Sequence, residues 1–205
     1  MDSDLIATLR ESVADERVLS AIAAIPRERF VADEHRDRAY ENVALPIACQ
    51  QTISQPLVVA RMLELLALEP TDRVLDIGTG SGYHAALLAQ LCAHVWSIER
   101  HPKLSRRARH TLVALGISNV SCLTGDGSAG LPSRAPFQAI NVAAAAADAG
   151  ALPPLEAQLA IGGRLVAPVG ATDQHLVRSR RRRTGIRRER FEPVRFVPLV
   201  RGRAR

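Results

Sequence analysis

Val74-Leu75-Asp76-Ile77-Gly78-Thr79-Gly80-Ser81-Gly82-Tyr83 reads as a buried β-strand that breaks into a glycine turn. Glycines at alternate positions let the backbone turn tightly and approach a ligand closely, leaving amide groups and the next helix's N-terminus free to bind it. Outward from this turn, a helical run extends from His84 to Cys92, and short β-branched runs then alternate with longer helical ones. Strands are expected over 74–77, 95–98, 121–123, 139–142 and 165–168. Alternation of this kind predicts an α/β fold, a doubly wound and mostly parallel sheet with helices on both faces. Two further strand-like segments, 176–182 and 194–199, lie either side of Gly185 and are expected to close the sheet as an antiparallel C-terminal hairpin. Upstream, 5–13 and 16–24 have helical spacing, and 43–55 reads as a loop feeding a helix after Pro56. One domain is expected: N-terminal helices and a loop over 1–56, a ligand-binding core over 57–170, and a hairpin with a basic tail over 171–205.

A chain of 205 residues with 47% hydrophobic content can bury one substantial core. Cys49, Cys92 and Cys122 are odd in number and lack any C-x-x-C pairing, so neither a disulfide framework nor a metal site is expected and a reducing cytoplasm fits. No apolar run approaches membrane-spanning length and no signal-like start is present, so no membrane partner is expected. The net charge of +6 is unevenly placed: the stretch between Arg178 and Arg190 holds eight arginines and one glutamate, a local +7, the tail after it +3, and residues 1–177 carry −4. A strongly basic protein invites a nucleic-acid partner. Here the basicity belongs to one short stretch, and Lys103 is the only lysine, so a general preference for arginine explains much of it. Nucleic acid is therefore not the expected partner, and a monomer is expected.

The dinucleotide fingerprint spaces its glycines as G-x-G-x-x-G. Here the third comes one residue early, and the G-x-G-x-G spacing resembles methyltransferases more than dehydrogenases. Glu99 closes the second strand about 20 residues beyond Gly78, where a carboxylate can hold both ribose hydroxyls. Gly125-Asp126-Gly127 follows the third strand, placing Asp126 to accept a hydrogen bond from an adenine amino group. Taken singly, Asp76 and Glu99 read equally well as solvated strand ends; three acidic strand ends around one glycine turn do not. The resemblance implies an S-adenosyl-L-methionine site built from Asp76, Gly78, Thr79, Gly80, Ser81, Gly82, Glu99, Asp126 and Gly127.

The remaining motifs narrow this further. Leu45-Pro46-Ile47, Gln51-Thr52-Ile53-Ser54-Gln55-Pro56, Ile25-Pro26-Arg27-Glu28-Arg29-Phe30, Gly162-Gly163-Arg164-Leu165-Val166 and Arg195-Phe196-Val197-Pro198-Leu199 resemble, in order and spacing, the signature of protein-L-isoaspartate O-methyltransferases. The resemblance runs from about Arg17 to Leu199. It implies a Rossmann-like methyltransferase fold and a repair activity: methylation of the α-carboxylate of isoaspartyl residues in damaged proteins and peptides, followed by collapse of the ester to a succinimide. Such chemistry needs no general base, because a carboxylate is ionised at pH 7. It needs the carboxylate held in line and stripped of water. By resemblance Ser54 is the residue beside the substrate, with Thr52 as a second hydroxyl and Gln51, Ile53, Val142 and Ala143 on the substrate side. Without the family, Thr52 and Ser54 would be helix-cap residues before Pro56.

Three positions depart from the family pattern: Gln50 stands where glycine is usual, Ala143 where threonine is common, and Gln138 where aspartate is usual. They leave two alternatives open, a carboxyl methyltransferase with another specific peptide or protein target, and a cofactor-binding protein engaging nucleic acid through the arginine stretch.

Overall fold

The computed structural model describes residues 3–202 and 204. Local sequence sets the helix ends. Asp15 accepts the N–H of Arg17 to start one helix, and Pro56 opens another whose Leu57 N–H is capped by the Asn42 side chain at 3.0 Å. The elements run α1 (Ser3–Arg10), α2 (Glu16–Ala24), the antiparallel pair β1 (Leu45–Ile47) and β2 (Gln51–Ile53), then α3 (Pro56–Leu66) and β3 (Arg73–Ile77). They continue with α4 (Tyr83–Leu91), β4 (His94–Glu99), α5 (Pro102–Ala114), β5 (Val120–Thr124) and β6 (Phe137–Val142). The short α6 (Pro153–Glu156) precedes β7 (Leu159–Val169), β8 (His175–Arg182) and β9 (Gly185–Pro193).

Seven strands form one sheet in the order β5-β4-β3-β6-β7-β8-β9, parallel from β5 to β7 and antiparallel for the last two. This is the mostly parallel α/β fold expected. Neighbouring residues of β3 face opposite ways: Val74 joins a core with α1 to α5, and Leu75 joins a second core with Leu152 and Leu155. Apolar side chains on both faces are what a sheet covered on both sides requires. Because β3 pairs with β4 on one side and β6 on the other, the chain reverses its winding direction between β3 and β6. A crevice outside the carboxyl ends of the strands at such a point is where ligands bind in open α/β sheets.

Two expectations are corrected. The first helix ends at Arg10; Ser12 and Val13 only close its last turn, both bonding to the Leu9 carbonyl. The hairpin partner of β8 is β9, not 194–199: Arg181 sits opposite Ile186 and Arg182 opposite Gly185 across a tight turn. The strand with the better apolar pattern lost because the outermost strand of a sheet leaves one edge to solvent and tolerates charge there. Residues 194–200 instead return across the carboxyl ends of the strands, where Ala145 bonds to the carbonyl of Val197 and accepts the N–H of Leu199.

Candidate active site

A cavity of about 230 Å³ opens where β3, β4 and β6 end. Its floor is the glycine turn, with Gly78 at φ +92° and Gly80 at φ +53°, conformations that favour residues without a Cβ. A Cβ on Gly127 would stand 2.8 Å from Ile77 Cγ2, so this glycine too is required by close approach. Glu99 is buried in the wall, and its carboxylate accepts the Gly80 N–H at 2.8 Å and the His101 N–H at 2.9 Å. Each carboxylate oxygen has a second acceptor position, so Glu99 shapes the turn and still has capacity for a ligand's hydroxyls.

Gly78, Thr79, Gly80, Ser81, Glu99 and Gly127 all border the cavity, together with Gln51, Thr52, Ile53, Ser54 and Ala143. The strand-end motifs and the separate loop motif of 45–56 therefore converge on one space. Thr52 and Ser54 are not cap residues, since Asn42 supplies the cap of α3. Four expected residues stand elsewhere. Gly82 packs under Ala108, where an added Cβ would be 3.0 Å from the alanine's own. Val142 is buried in the second core. Asp76 lies beneath the cavity, fully buried, accepting from Ser97 at 2.6 Å and Asn141 at 2.8 Å. Burial pushes its carboxyl up to about 6 against those two hydrogen bonds.

Asp126 is exposed outside the cavity lining, and its two oxygens accept the backbone N–H groups of Ser128 and Gly202 at 2.8 and 2.7 Å. Burial acts to raise its carboxyl, but the Gly202 and Ser128 hydrogen bonds and nearby Arg100 outweigh it and hold it below the usual carboxylate range. The tail that takes this carboxylate runs on from the segment that walls the cavity with Val197, Pro198, Leu199 and Val200. The family-like motif at 195–199 pointed to this segment, though not to its position over the site.

Arg27 explains how the Ser54 loop is held. It is fully buried and donates to the carbonyls of Ala39, Val43 and Ser54, the last two at 3.1 Å, while its guanidinium stands 5.8 Å from the Tyr83 ring centroid. Burial lowers its pKa from the ordinary arginine value. Beyond Thr52 and Ser54 lies a second, open groove of about 740 Å³ lined by Ala44, Gln55, Val58 and residues 193–197. Thr52 and Ser54 border both spaces.

The departures also find places. Gln50 has φ +57° and follows Cys49 at +61°, so the backbone takes the left-handed form that glycine adopts freely. Gln138 accepts the N–H of Arg73 at 3.0 Å, at the end of β6 remote from the cavity. Ala143 borders the cavity, where a Cβ on Gly78 would meet it at 3.6 Å, and offers no hydroxyl. Sequence reasoning missed His84, a buried lining residue with no motif to mark it.

The arginine hairpin is largely engaged within the fold. Arg178 meets Glu189 at 2.8 Å, Arg188 meets buried Glu156 at 2.6 Å, Arg190 reaches Asp173 at 3.2 Å, and Arg181 donates to the carbonyls of Ala157 and Leu159. Among the described residues no group of three or more His, Cys, Asp or Glu could hold a metal ion, and no helix is long and apolar enough to cross a membrane.

With known proteins the likeness covers the chain. The sequence profile of the protein-L-isoaspartate(D-aspartate) O-methyltransferase family matches residues 1–204. A protein-L-isoaspartate O-methyltransferase of Cereibacter sphaeroides (strain ATCC 17029 / ATH 2.4.9) is 50% identical over 200 residues, 97% of this chain and 90% of that protein. A solved protein-L-isoaspartate O-methyltransferase superposes with a TM-score of 0.86 at 27% identity, over 97% of this chain and 65% of the longer one. A Plasmodium falciparum protein solved in complex with S-adenosyl-L-homocysteine shares the fold, with a TM-score of 0.83 at 24% identity over 96% of this chain and 97% of that one.

Proposed function

Since the chain belongs to the protein-L-isoaspartate(D-aspartate) O-methyltransferase family, we propose that the enclosed cavity holds its methyl donor and the open groove holds the damaged peptide, with Thr52 and Ser54 between them. The enzyme methylates isoaspartyl residues of proteins and peptides using S-adenosyl-L-methionine. Bound there, that cofactor supplies a methyl group on a sulfonium, which leaves as the thioether when the carboxylate oxygen takes the methyl.

The residues present fit such a group. Left-handed Gly78 and Gly80 and the bare Cα of Gly127 leave room against the floor, and Glu99 retains acceptor capacity for ribose hydroxyls. Asp126 fits less directly, because it stands exposed and outside the cavity lining. The protein's remaining task is positioning. Thr52 and Ser54 donate hydrogen bonds to an incoming carboxylate without adding a charge that would bind it too deeply, and Arg27 fixes the Ser54 backbone. Walls of Ile53, Val59, Val197 and Leu199 keep water from the reacting oxygen. The observation that carries this reading is that Thr52 and Ser54 face both the enclosed cavity and the open groove. Against a nucleic-acid role stands the hairpin, where Arg178, Arg181, Arg188 and Arg190 are held by Glu189, the Ala157 carbonyl, Glu156 and Asp173.

The test is methanol release from the base-labile ester formed on matched isoaspartyl and aspartyl peptides. Methylation of the isoaspartyl peptide alone is expected, because a normal aspartate places its carboxylate one methylene away and misplacement by about 1 Å can cost roughly 100-fold in rate. Ser54→Ala should lower turnover and spare affinity for S-adenosyl-L-homocysteine. A cofactor-binding protein that methylates neither peptide would refute the assignment.

A further inference from the structure

His84 lies in the first turn of α4, borders the cavity and is only 7% exposed. Its surroundings fix which ring nitrogen carries the hydrogen. Asp76 accepts from Ser97 through one oxygen and from the Asn141 amide through the other, which turns the amide's NH₂ toward Asp76. The same NH₂ lies 3.3 Å from His84 Nδ1, so Nδ1 accepts and the hydrogen sits on Nε2. Nε2 is buried and has no partner among the described residues. A buried N–H without an acceptor is costly, by about 1–3 kcal/mol, and on the border of a binding cavity a ligand acceptor would relieve that cost.

The acceptor's chemistry follows from the strand order. Glu99, at the end of β4, marks one side of the glycine turn as the place for hydroxyl donors. His84 is tied through Asn141 to β6, on the other side of β3. An acceptor there is not the ribose. Of the groups the reaction brings into this cavity, those rich in acceptors away from the nucleoside are carboxylates: the amino-acid carboxylate of the methyl donor and the carboxylate of the substrate.

We propose that His84 is a binding residue that donates a hydrogen bond from Nε2 to a carboxylate in this cavity, with Asn141 and Asp76 holding the ring in the required tautomer. Burial lowers the imidazole to about 3, so the donor is neutral at pH 7 and adds no charge beside a sulfonium. The proposal rests on the assignment of the cavity to the methyl donor and the isoaspartyl carboxylate.

Calorimetry of the wild type, His84→Gln and His84→Leu separates the possibilities. The ligands are S-adenosyl-L-homocysteine, 5′-methylthioadenosine, which lacks the amino-acid carboxylate, and an isoaspartyl peptide titrated into protein saturated with the first ligand. His84→Leu should weaken one carboxylate ligand about 10- to 100-fold, the scale of a hydrogen bond to a charged group. His84→Gln, which keeps an N–H donor, should recover most of that loss. Loss confined to S-adenosyl-L-homocysteine assigns the bond to the donor's carboxylate, and loss confined to the peptide assigns it to the substrate's. The proposal is overturned by equal loss for 5′-methylthioadenosine, by no loss for any ligand, or by His84→Gln behaving like His84→Leu while both fold. If the wild type does not bind S-adenosyl-L-homocysteine, the assignment of the cavity fails first and the proposal with it.

Discussion

Replacing Gln50 by glycine should make the protein more stable, a gain that originates in the backbone. Gln50 has φ +57°, its side chain is exposed, and no hydrogen bond holds it among the described residues. An L-residue in the left-handed region is disfavoured by roughly 1–2 kcal/mol because its Cβ crowds the following carbonyl. Glycine escapes that penalty but brings an unfolded chain with more freedom to lose, which returns roughly 0.5–1 kcal/mol. The balance is a gain of about 0.5–1 kcal/mol, equivalent to a rise in Tm of roughly 1–4 °C for a chain of this size. Scanning calorimetry at fixed pH reads it directly, with Gln50→Ala as the control that keeps the Cβ and the strain. Because Gln50 stands at the cavity's edge, kcat/KM on an isoaspartyl peptide should be equal or higher in the glycine variant. Refutation comes from a lower Tm for Gln50→Gly, or from an equal rise for Gln50→Ala, since neither follows from relief of a left-handed conformation.

Other expectations concern the carboxylates and the hairpin. Glu99→Ala should weaken S-adenosyl-L-homocysteine by about 1–3 kcal/mol in calorimetry, the scale of a lost charged hydrogen bond; unchanged affinity would mean the nucleoside lies elsewhere. Serine at Arg180, Arg181, Arg182 and Arg183 together should leave methylation of short peptides nearly intact while lowering Tm, because Arg181 caps the carbonyls of Ala157 and Leu159; collapse of activity in a folded variant would place the run in the substrate site. Asp76 has a carboxyl raised to about 6 in the fold from an ordinary 3.8, so its contribution is most favourable below 3.8 and declines as pH rises through about 6. By linkage that loss is about 3 kcal/mol in order of magnitude. Urea unfolding should therefore show Asp76→Asn gaining on the wild type between pH 4 and pH 7, and parallel profiles would refute the buried, ionising carboxyl.

Much of this architecture was legible because buried parallel strands must be apolar on both sides. Runs such as Val74 to Ile77 carry that requirement visibly, and the glycine turn marks where the chain needs positive φ. β9 was not legible. Its alternation of Arg187, Arg188, Glu189 and Arg190 is held by the cross-strand Arg178–Glu189 ion pair and by buried Glu156, so its signal lies in partners on other elements. The Thr52–Ser54 loop was found through a family-like motif, since hydroxyls before a proline look the same whether they cap a helix or face a substrate. Asp126 has only its strand-end position to mark it in the sequence, and a backbone segment 76 residues away donates to its carboxylate. His84 had no signal, because a histidine after a glycine turn shows its role only when Asn141 and Asp76 are seen beside it.

Arg27 also sets how the Ser54 loop can move. Its guanidinium joins the carbonyls of Ala39, Val43 and Ser54 in the interior. Swinging the loop outward would break the bond from this buried cation to the Ser54 carbonyl, a loss of about 1.5–3 kcal/mol. The loop is therefore tethered from below at the Ser54 carbonyl, and Arg27→Met should raise deuterium exchange across residues 51–55 relative to the wild type. With the peptide placed as proposed, such a site works as a fixed die, to which the peptide bends.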